Sequence, residues 1–156
     1  MGAGYGVTTE GEVALTAALT YVLGIRAGAA FELQLCEFSI SFDGVTATAE
    51  PVPVELCYAT FATNPPGTNS TTVTPGQHYG RANAHGMTAA KLWTLANPPT
   101  VVTRIRSWEI SPFGGLFVYQ FAETRRPDTA LNDGFILRAT PPAAVNCLAE
   151  LLVERY

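Results

Sequence analysis

The sequence predicts an all-β fold built as an antiparallel sandwich of about eight strands. The first observation is in residues 105–121, where side chains alternate with a period of two on both sides of a turn. Pro112, Gly114 and Gly115 form that turn, because proline cannot donate to a ladder and glycine admits positive φ. The second observation is that short apolar segments recur between turn residues along the chain. The third is that no sustained helical period is visible outside residues 13–25.

Residues 1–11 are small, glycine-rich and polar, and they predict a flexible N-terminal arm. Such a composition buries too little apolar area to offset the entropy of ordering. Tyr5 and Val7 supply apolar surface with which the arm could anchor in a groove on a partner, so both are candidate partner contacts. An idle disordered terminus is the alternative. Residues 12–156 are then expected to form a single domain, which their number suits.

Three apolar segments predict strands in the first half of the chain. Residues 13–25 favour a strand through threonine, tyrosine and valine, although their alanines and leucines are also compatible with a helix. Residues 31–42 alternate, and a change of phase near Cys36 predicts a bulge. An Asp-Gly dipeptide at 43–44 signals a turn. Residues 52–59 alternate again, and the prolines at their start indicate a sheet edge.

Further strands are predicted at residues 91–96, 134–140 and 145–156, in addition to the pair within 105–121. The last of them is the most apolar, with five alternate residues on one face. The long crossing loops between these strands favour a jelly roll over an up-and-down barrel. The five alternate residues that form the apolar face of the strand predicted at 145–156 are Val145, Cys147, Ala149, Leu151 and Val153.

Two polar loops, residues 63–80 and 122–133, are the longest irregular stretches. Long ordered loops in small domains are often functional surfaces. The second loop also carries the densest cluster of charged residues in the chain. The candidate partner contacts in these loops are His78, Tyr79, Arg125 and Arg126.

The composition narrows the classes of partner. A formal net charge of -4 provides no basic patch for phosphates, so we expect no nucleic-acid binding. No apolar run is long enough to cross a membrane, and the N-terminus lacks the features of a signal peptide. Charged residues make up only 14% of the chain, against about 25% in typical soluble domains. Such a surface suits contact with other proteins, and it predicts a homotrimer that hides part of its uncharged area.

The sequence does not predict an enzyme, a metal site or a cofactor. His78 and His85 are seven residues apart without nearby ligands, and no Gly-x-Ser-x-Gly motif is present. The alternate glycines at positions 2, 4 and 6 follow no strand, so they do not form a phosphate cradle. Paired strand carboxylates of the glycosidase kind stay open, although a solvated face explains them more simply. Three cysteines in apolar segments are expected to be buried and unpaired, namely Cys36, Cys57 and Cys147.

Five aromatic residues around the turn at 112–115 have two interpretations. Large rings at alternate strand positions fill the interior of a sandwich, and this interpretation is favoured. A platform that stacks on sugars is the alternative. The residues are Trp108, Phe113, Phe117, Tyr119 and Phe121.

Three sets of segments carry a family resemblance, namely 37–49 with 51–56, 106–110 with 112–115, and 138–147. They resemble a family of small proteins encoded among the structural genes of actinobacterial tailed phages and prophages. The resemblance covers most of the chain, from about Leu15 to Glu154, and its motifs are structural rather than catalytic. It implies a jelly-roll capsid decoration, or cement, protein on the outside of the phage head, commonly a trimer.

The leading hypothesis is therefore a non-enzymatic virion structural protein. It would be made in the cytoplasm of a host bacterium, bind the major capsid protein and remain on the capsid surface. The alternative is a carbohydrate-binding or host-adhesion module on a virion, because jelly rolls often present loops to sugars. A jelly-roll enzyme of the cupin kind is disfavoured, since it needs clustered histidines.

Overall fold

Twelve β-strands and one 3₁₀ helix form the regular structure of residues 2–43 and 50–156, which are the residues that the computed structural model describes. No α-helix occurs in this part of the chain, so the predicted all-β class is confirmed. The strands are β1 (Ala3–Thr8), β2 (Val13–Leu15), β3 (Thr20–Arg26), β4 (Leu33–Asp43), β5 (Val52–Ala59), β6 (Thr71–Val73), β7 (Gly76–Tyr79), β8 (Thr88–Lys91), β9 (Val101–Ile110), β10 (Phe117–Gln120), β11 (Gly134–Ala139) and β12 (Val145–Arg155), and the 3₁₀ helix is Glu123–Arg125.

The strands form two antiparallel sheets of six strands each. Sheet I has the order β10-β4-β12-β1-β7, and β2 also pairs with β12. Sheet II has the order β6-β8-β3-β11-β5-β9. Buried side chains from both sheets, such as Phe38 and Leu151 in sheet I and Leu56 and Leu137 in sheet II, belong to one hydrophobic core. The predicted antiparallel sandwich is confirmed, with more strands than the eight that were expected.

Eight of the strands pair in a nested order. The outermost pair along the chain is β2 with β12, followed by β3 with β11, β4 with β10 and β5 with β9. The members of the first and third pairs lie in sheet I, and those of the second and fourth lie in sheet II. The remaining strands, β1 and β6 to β8, extend the two sheets beyond this set.

The central strands alternate as the sequence predicts. In β12 the predicted apolar face is buried, and its register against β4 shifts between Leu152 and Val153. Leu152 pairs with Glu37 and Val153 pairs with Leu35, so Cys36 is the extra residue of a bulge. The predicted bulge is confirmed. All three cysteines are buried and unpaired, as predicted.

The prediction of a flexible arm at residues 1–11 is wrong for β1. This strand lies between β12 and β7 in sheet I, and six consecutive residues pair with β12. Tyr5 is 1% exposed and Val7 is 0% exposed, and both belong to the core. The physical reason is that small residues alternate with apolar ones, so the strand buries Ala3, Tyr5 and Val7 on one face and places glycines on the other.

Other segments differ from the prediction in detail. Residues 13–25 form strands, as the favoured interpretation predicted, but they are divided between β2 and β3, and the loop 63–80 contains β6 and β7. The strand predicted at 91–96 ends at Lys91, where β8 stops. The strand β5 is not an edge strand, because Val54–Ala59 pair with both β11 and β9, although its first two residues, Val52 and Pro53, have register partners in β9 alone.

The corner at residues 112–115 joins two strands that do not pair with each other. It carries the chain from β9 at the edge of sheet II to β10 at the edge of sheet I. Asp43 is the last residue of β4, and Gly44 of the predicted turn and the link up to residue 49 lie outside the described residues.

The outer faces of the two sheets differ. A second hydrophobic cluster covers part of the outer face of sheet II, where Phe61 and Trp93 stack with ring centroids 6.0 Å apart. Trp93 also contacts Gly24, where a Cβ would lie 2.9 Å from the indole. On the outer face of sheet I, Val118 and Leu148 are exposed by 45% and 48%. Sheet I therefore offers the more open face.

Candidate partner interface

The six predicted partner contacts fall into two groups. Tyr5 and Val7 are core residues and cannot meet a partner, so these two predictions are wrong. The Tyr5 hydroxyl donates a hydrogen bond to the Asn83 carbonyl at 3.0 Å, which ties β1 to the loop after β7. The other four candidates, His78, Tyr79, Arg125 and Arg126, lie on or beside the outer surface of sheet I.

The side chains of His78 and Tyr79 lie across the glycines of β1. The register between β1 and β7 shifts so that Tyr79 pairs with Gly4 and His78 is the extra residue. A Cβ at Gly4 would lie 2.2 Å from Cε1 of Tyr79, and one at Gly6 would lie 2.4 Å from Nε2 of His78. The absence of side chains at these two positions is therefore what lets the rings rest on the strand. Gly4 and Gly6 of the Gly-x-Gly-x-Gly pattern have this packing role, whereas Gly2 lies against the backbone of Arg155.

Tyr79 reaches a small polar cluster on the outer face of sheet I. Arg126 binds Glu154 with Nη1 and Oε2 3.1 Å apart, and the Gly2 N–H donates to the other carboxylate oxygen at 3.0 Å. Burial, together with the nearby Cys36 thiol and Glu154 carboxylate, raises the pKa of Tyr79 to about 12. Burial also raises the pKa of the Cys36 thiol, against the lowering effect of the Arg126 charge. Because both pKa values are raised, the Tyr79 hydroxyl and the Cys36 thiol are uncharged at neutral pH. The cluster holds the end of β7 in place.

Arg126 is thus a structural residue more than a free contact. Its side chain is 24% exposed, and its Nε is buried without a hydrogen-bond partner among the described residues. Arg125, one residue earlier, ends the 3₁₀ helix and is exposed.

A trough of about 330 Å³ lies on the outer face of sheet I, and we call it the apolar trough. Its floor and one wall are Ser39, Ser41, Leu148 and Leu116, and the turn at residues 8–11 forms the opposite rim. Leu116 is 65% exposed. The trough combines aliphatic side chains with small hydroxyl groups, and Glu10 and Glu150 add two carboxylates to its lining. Its exposed leucines suit an apolar side chain of a partner.

Hydrogen bonds fix the rim of the apolar trough. Thr9 pairs with the backbone of Ala149 at 3.1 Å and 3.3 Å, and the carboxylate of Glu10 accepts a hydrogen bond from the Thr74 N–H at 2.9 Å. Glu10 and Gly11 have positive φ of 53° and 125°, so the chain turns sharply between β1 and β2. A rim held in this way loses little entropy when a partner binds.

A second cavity of about 450 Å³ opens where the edges of the two sheets meet, and we call it the arginine groove. It is lined by side chains of β9, β10 and the 3₁₀ helix. The Arg106 guanidinium lies 5.0 Å from the centroid of the Tyr119 ring and donates a hydrogen bond to the Tyr119 hydroxyl. Its lining includes Ile105, Arg106, Tyr119, Gln120, Phe121 and Arg125.

The predicted aromatic set is mostly internal. Four rings, those of Trp108, Phe117, Tyr119 and Phe121, are partly buried and pack against the core. The Trp108 centroid is 4.7 Å from that of Phe38 and 5.1 Å from that of Tyr119. Phe113 is 62% exposed at the corner between the sheets.

The titratable residues of the described segments form no group that could hold a metal ion. His85 hydrogen-bonds to the backbone carbonyl of Met87 through Nδ1 at 3.0 Å. Glu55 binds both Arg138 and Arg104 on sheet II, at 2.6 Å and 3.1 Å. Burial acts to raise the pKa of Glu55, but the hydrogen bonds from the two arginines hold it below its usual value.

Within the described residues, no helix has the length and apolar character needed to span a membrane. No family model matches this chain, and no curated protein or solved structure matches it.

Proposed function

We propose that this chain is a non-enzymatic structural protein that decorates the outside of a phage capsid as a trimer. It would be made in the bacterial cytoplasm and bind the major capsid protein in the virion. The observation that carries the proposal is the apolar trough, an open and ordered surface on a chain with few charged residues. The resemblance of the sequence to actinobacterial phage decoration proteins supplies the identity of the partner.

The fold proposed with this function is a jelly roll. A jelly roll is a two-sheet arrangement of eight strands formed from two Greek keys, and viral capsid proteins are among its users. The nested pairs β2 with β12, β3 with β11, β4 with β10 and β5 with β9 support it. They alternate between the sheets, as they do when one long antiparallel hairpin is wrapped into a sandwich.

The apolar trough suits a protein lattice for two reasons. Its exposed leucines lose contact with water when covered, which contributes about 25 cal/mol for each Å² of apolar surface. Its floor of Ser39 and Ser41 allows close approach, because hydroxyl side chains are short and can hydrogen-bond to a partner's backbone.

The test is the occupancy of purified capsids by wild-type protein and by two matched variants. Leu148→Gln places an amide in the apolar trough, whereas Leu95→Gln makes the same change at a leucine that is 60% exposed elsewhere. We expect Leu148→Gln to lower occupancy and Leu95→Gln to leave it unchanged, with both proteins folded by circular dichroism. Mass spectrometry that finds no trace of the wild-type protein on capsids would refute the decoration role. Equal occupancy by all three proteins would refute the role of the trough.

The alternative function, binding of carbohydrate on a virion, keeps one open aromatic ring in its favour. Phe113 is exposed at the corner between the sheets, where a sugar could stack on it. A glycan array with wild type and Phe113→Ala tests this function. Specific binding that the variant loses would favour the carbohydrate-binding module over the decoration protein.

A further inference from the structure

We propose that the arginine groove binds an acidic, extended segment of a partner protein. In this complex a carboxylate of the segment lies between Arg106 and Arg125, and the backbone of the segment pairs with the free edge of β10. The proposal concerns a surface separate from the apolar trough. It does not require the partner to be a capsid protein.

The arginines of the described chain differ in whether they form ion pairs. Three arginines of the described chain, Arg104, Arg126 and Arg138, are bound to carboxylates. Arg106 and Arg125 line one cavity and form no ion pair with the described residues. The lining of this cavity has two exposed guanidinium groups and no carboxylate, so it is a local site of opposite sign on a protein of net charge -4. An anionic group of a partner is the complementary ligand.

The Arg106 side chain is already oriented by its contacts with Tyr119. Its pairing with Leu56 places it on the core-facing side of β9, and its guanidinium stacks on Tyr119 at the open edge of the sandwich. The hydrogen bond to the Tyr119 hydroxyl uses one of the five N–H donors of the group. The remaining donors can serve a carboxylate, and a guanidinium held in place loses less entropy on binding than a free one.

The backbone of β10 has a free edge, because β10 is the outermost described strand of sheet I. The Phe121 N–H donates to the Cys36 carbonyl at 2.9 Å. The backbone N–H and C=O groups of the odd-numbered residues of β10 therefore point toward β4. Because an antiparallel ladder alternates, Val118 and Gln120 direct their N–H and C=O groups away from β4. An exposed strand edge of this kind accepts a peptide in the extended conformation.

The lining of the groove favours a peptide over another polyanion. Ile105 and Phe121 give it apolar walls, which contact the aliphatic part of a glutamate side chain or its neighbours. Nucleic acids are held by rows of cations that follow a regular phosphate backbone, and this groove has two. An acidic peptide therefore fits both the charge and the open strand edge.

The experiment measures binding of fluorescein-labelled peptides by anisotropy. The probe is a blocked peptide of alternating threonine and glutamate, and its control replaces each glutamate with glutamine. We expect saturable binding of the glutamate peptide and none of the glutamine peptide. The double variant Arg106→Gln with Arg125→Gln should lose about tenfold or more in affinity, which corresponds to about 1.4 kcal/mol. Arg81→Gln removes an exposed arginine outside the groove and should bind as wild type does.

Three outcomes would overturn the proposal. One is equal loss of affinity in Arg81→Gln and the double variant, which would indicate a diffuse charge effect. Another is that dextran sulfate competes as well as unlabelled peptide at equal charge, which would indicate a site for any polyanion. The third is no binding of the glutamate peptide to folded wild-type protein. Capsid occupancy of the double variant is measured separately, so the decoration role can fail while peptide binding stands, and the reverse.

Discussion

Deletion of residues 1–11, leaving a chain that starts at Glu12, should destabilise the fold and not merely weaken a contact. The deletion removes the whole of β1, which pairs with β12 on one side and with β7 on the other. It would leave β7 without its neighbour in sheet I, and it would expose the edge of β12 between Glu150 and Arg155. A flexible arm at the same position could be removed without such effects.

The size of the effect follows from the buried side chains. Complete burial of a large apolar side chain contributes about 1.5–3 kcal/mol, and Tyr5 and Val7 are both buried completely. Loss of the two side chains therefore costs about 3–6 kcal/mol, before any cost of unpaired backbone. Small domains have a free energy of unfolding of about 5–15 kcal/mol. The shortened chain should be unfolded or only marginally stable.

A pair of single substitutions gives the same test without altering the chain length. Tyr5→Ala should cost about 3–5 kcal/mol, because it opens a cavity in the core. Tyr5→Phe keeps the ring and loses only the hydrogen bond to the Asn83 carbonyl, at a cost of about 1 kcal/mol. For a domain of this length, 1 kcal/mol corresponds to about 2–4 °C in Tm.

Thermal unfolding followed by circular dichroism separates the two arrangements. Tyr5→Ala should melt about 6–20 °C below wild type, and Tyr5→Phe should melt a few degrees below it. If the deletion and both substitutions melt with wild type, β1 is not part of the core and this account of the N-terminus is refuted.

Three further predictions concern other parts of the sandwich. Gly134→Ala should cost about 3 kcal/mol or more, because a Cβ there would lie 1.8 Å from a backbone carbonyl oxygen of β3, whereas Gly76→Ala meets no atom within 4 Å and should be neutral; chemical denaturation compares them. Trp108→Ala should cost about 3 kcal/mol, because its ring packs against the core, and an unchanged Tm would place the indole at the surface. Glu55 has a lowered pKa, so its ion pairs stabilise the fold above the ordinary glutamate pKa of about 4.3 and are lost as the pH falls through the lowered value. In Glu55→Gln the fall in Tm from pH 7 to pH 3 should therefore be smaller than in wild type, and an equal fall in the two proteins would contradict this.

Period-two alternation predicted the central strands well, because these strands bury one face over many residues. The apolar face of β12 and the bulge at Cys36 both follow from which residues share a face. In the bulge, two side chains of β4 oppose one of β12, and the change of phase in the sequence records this. Such signals are local and need no knowledge of the partner strand.

The same alternation was present in β1 but was outweighed by composition. Glycine is common in flexible segments, so residues 2, 4 and 6 indicated disorder. The true role of Gly4 and Gly6 depends on Tyr79 and His78, which are more than seventy residues away in the chain. A glycine that is required for close packing cannot be distinguished from one in a flexible arm until its neighbour is known.

The short strands and the candidate surfaces were beyond prediction for a related reason. The strands β6 and β7 have only three and four residues, too few for alternation to be visible. The arginine groove joins β9 and β10, which are consecutive in the chain but lie in different sheets. The loop position of Arg125 was predicted. That Arg125 and Arg106 line the same cavity could not be predicted, because it depends on the path of the chain between the two sheets.

The two bulges of sheet I determine which part of its outer face stays open. The bulge at His78 turns two consecutive rings onto β1, and the bulge at Cys36 turns a thiol outward to meet one of them. This half of the face is therefore covered by the protein's own side chains. The other half, toward β10, keeps Val118 and the apolar trough exposed, and the arginine groove opens along the same strand. Since both proposed surfaces border β10, one partner lying over this strand would contact the trough with its apolar side chains and the groove with its acidic ones.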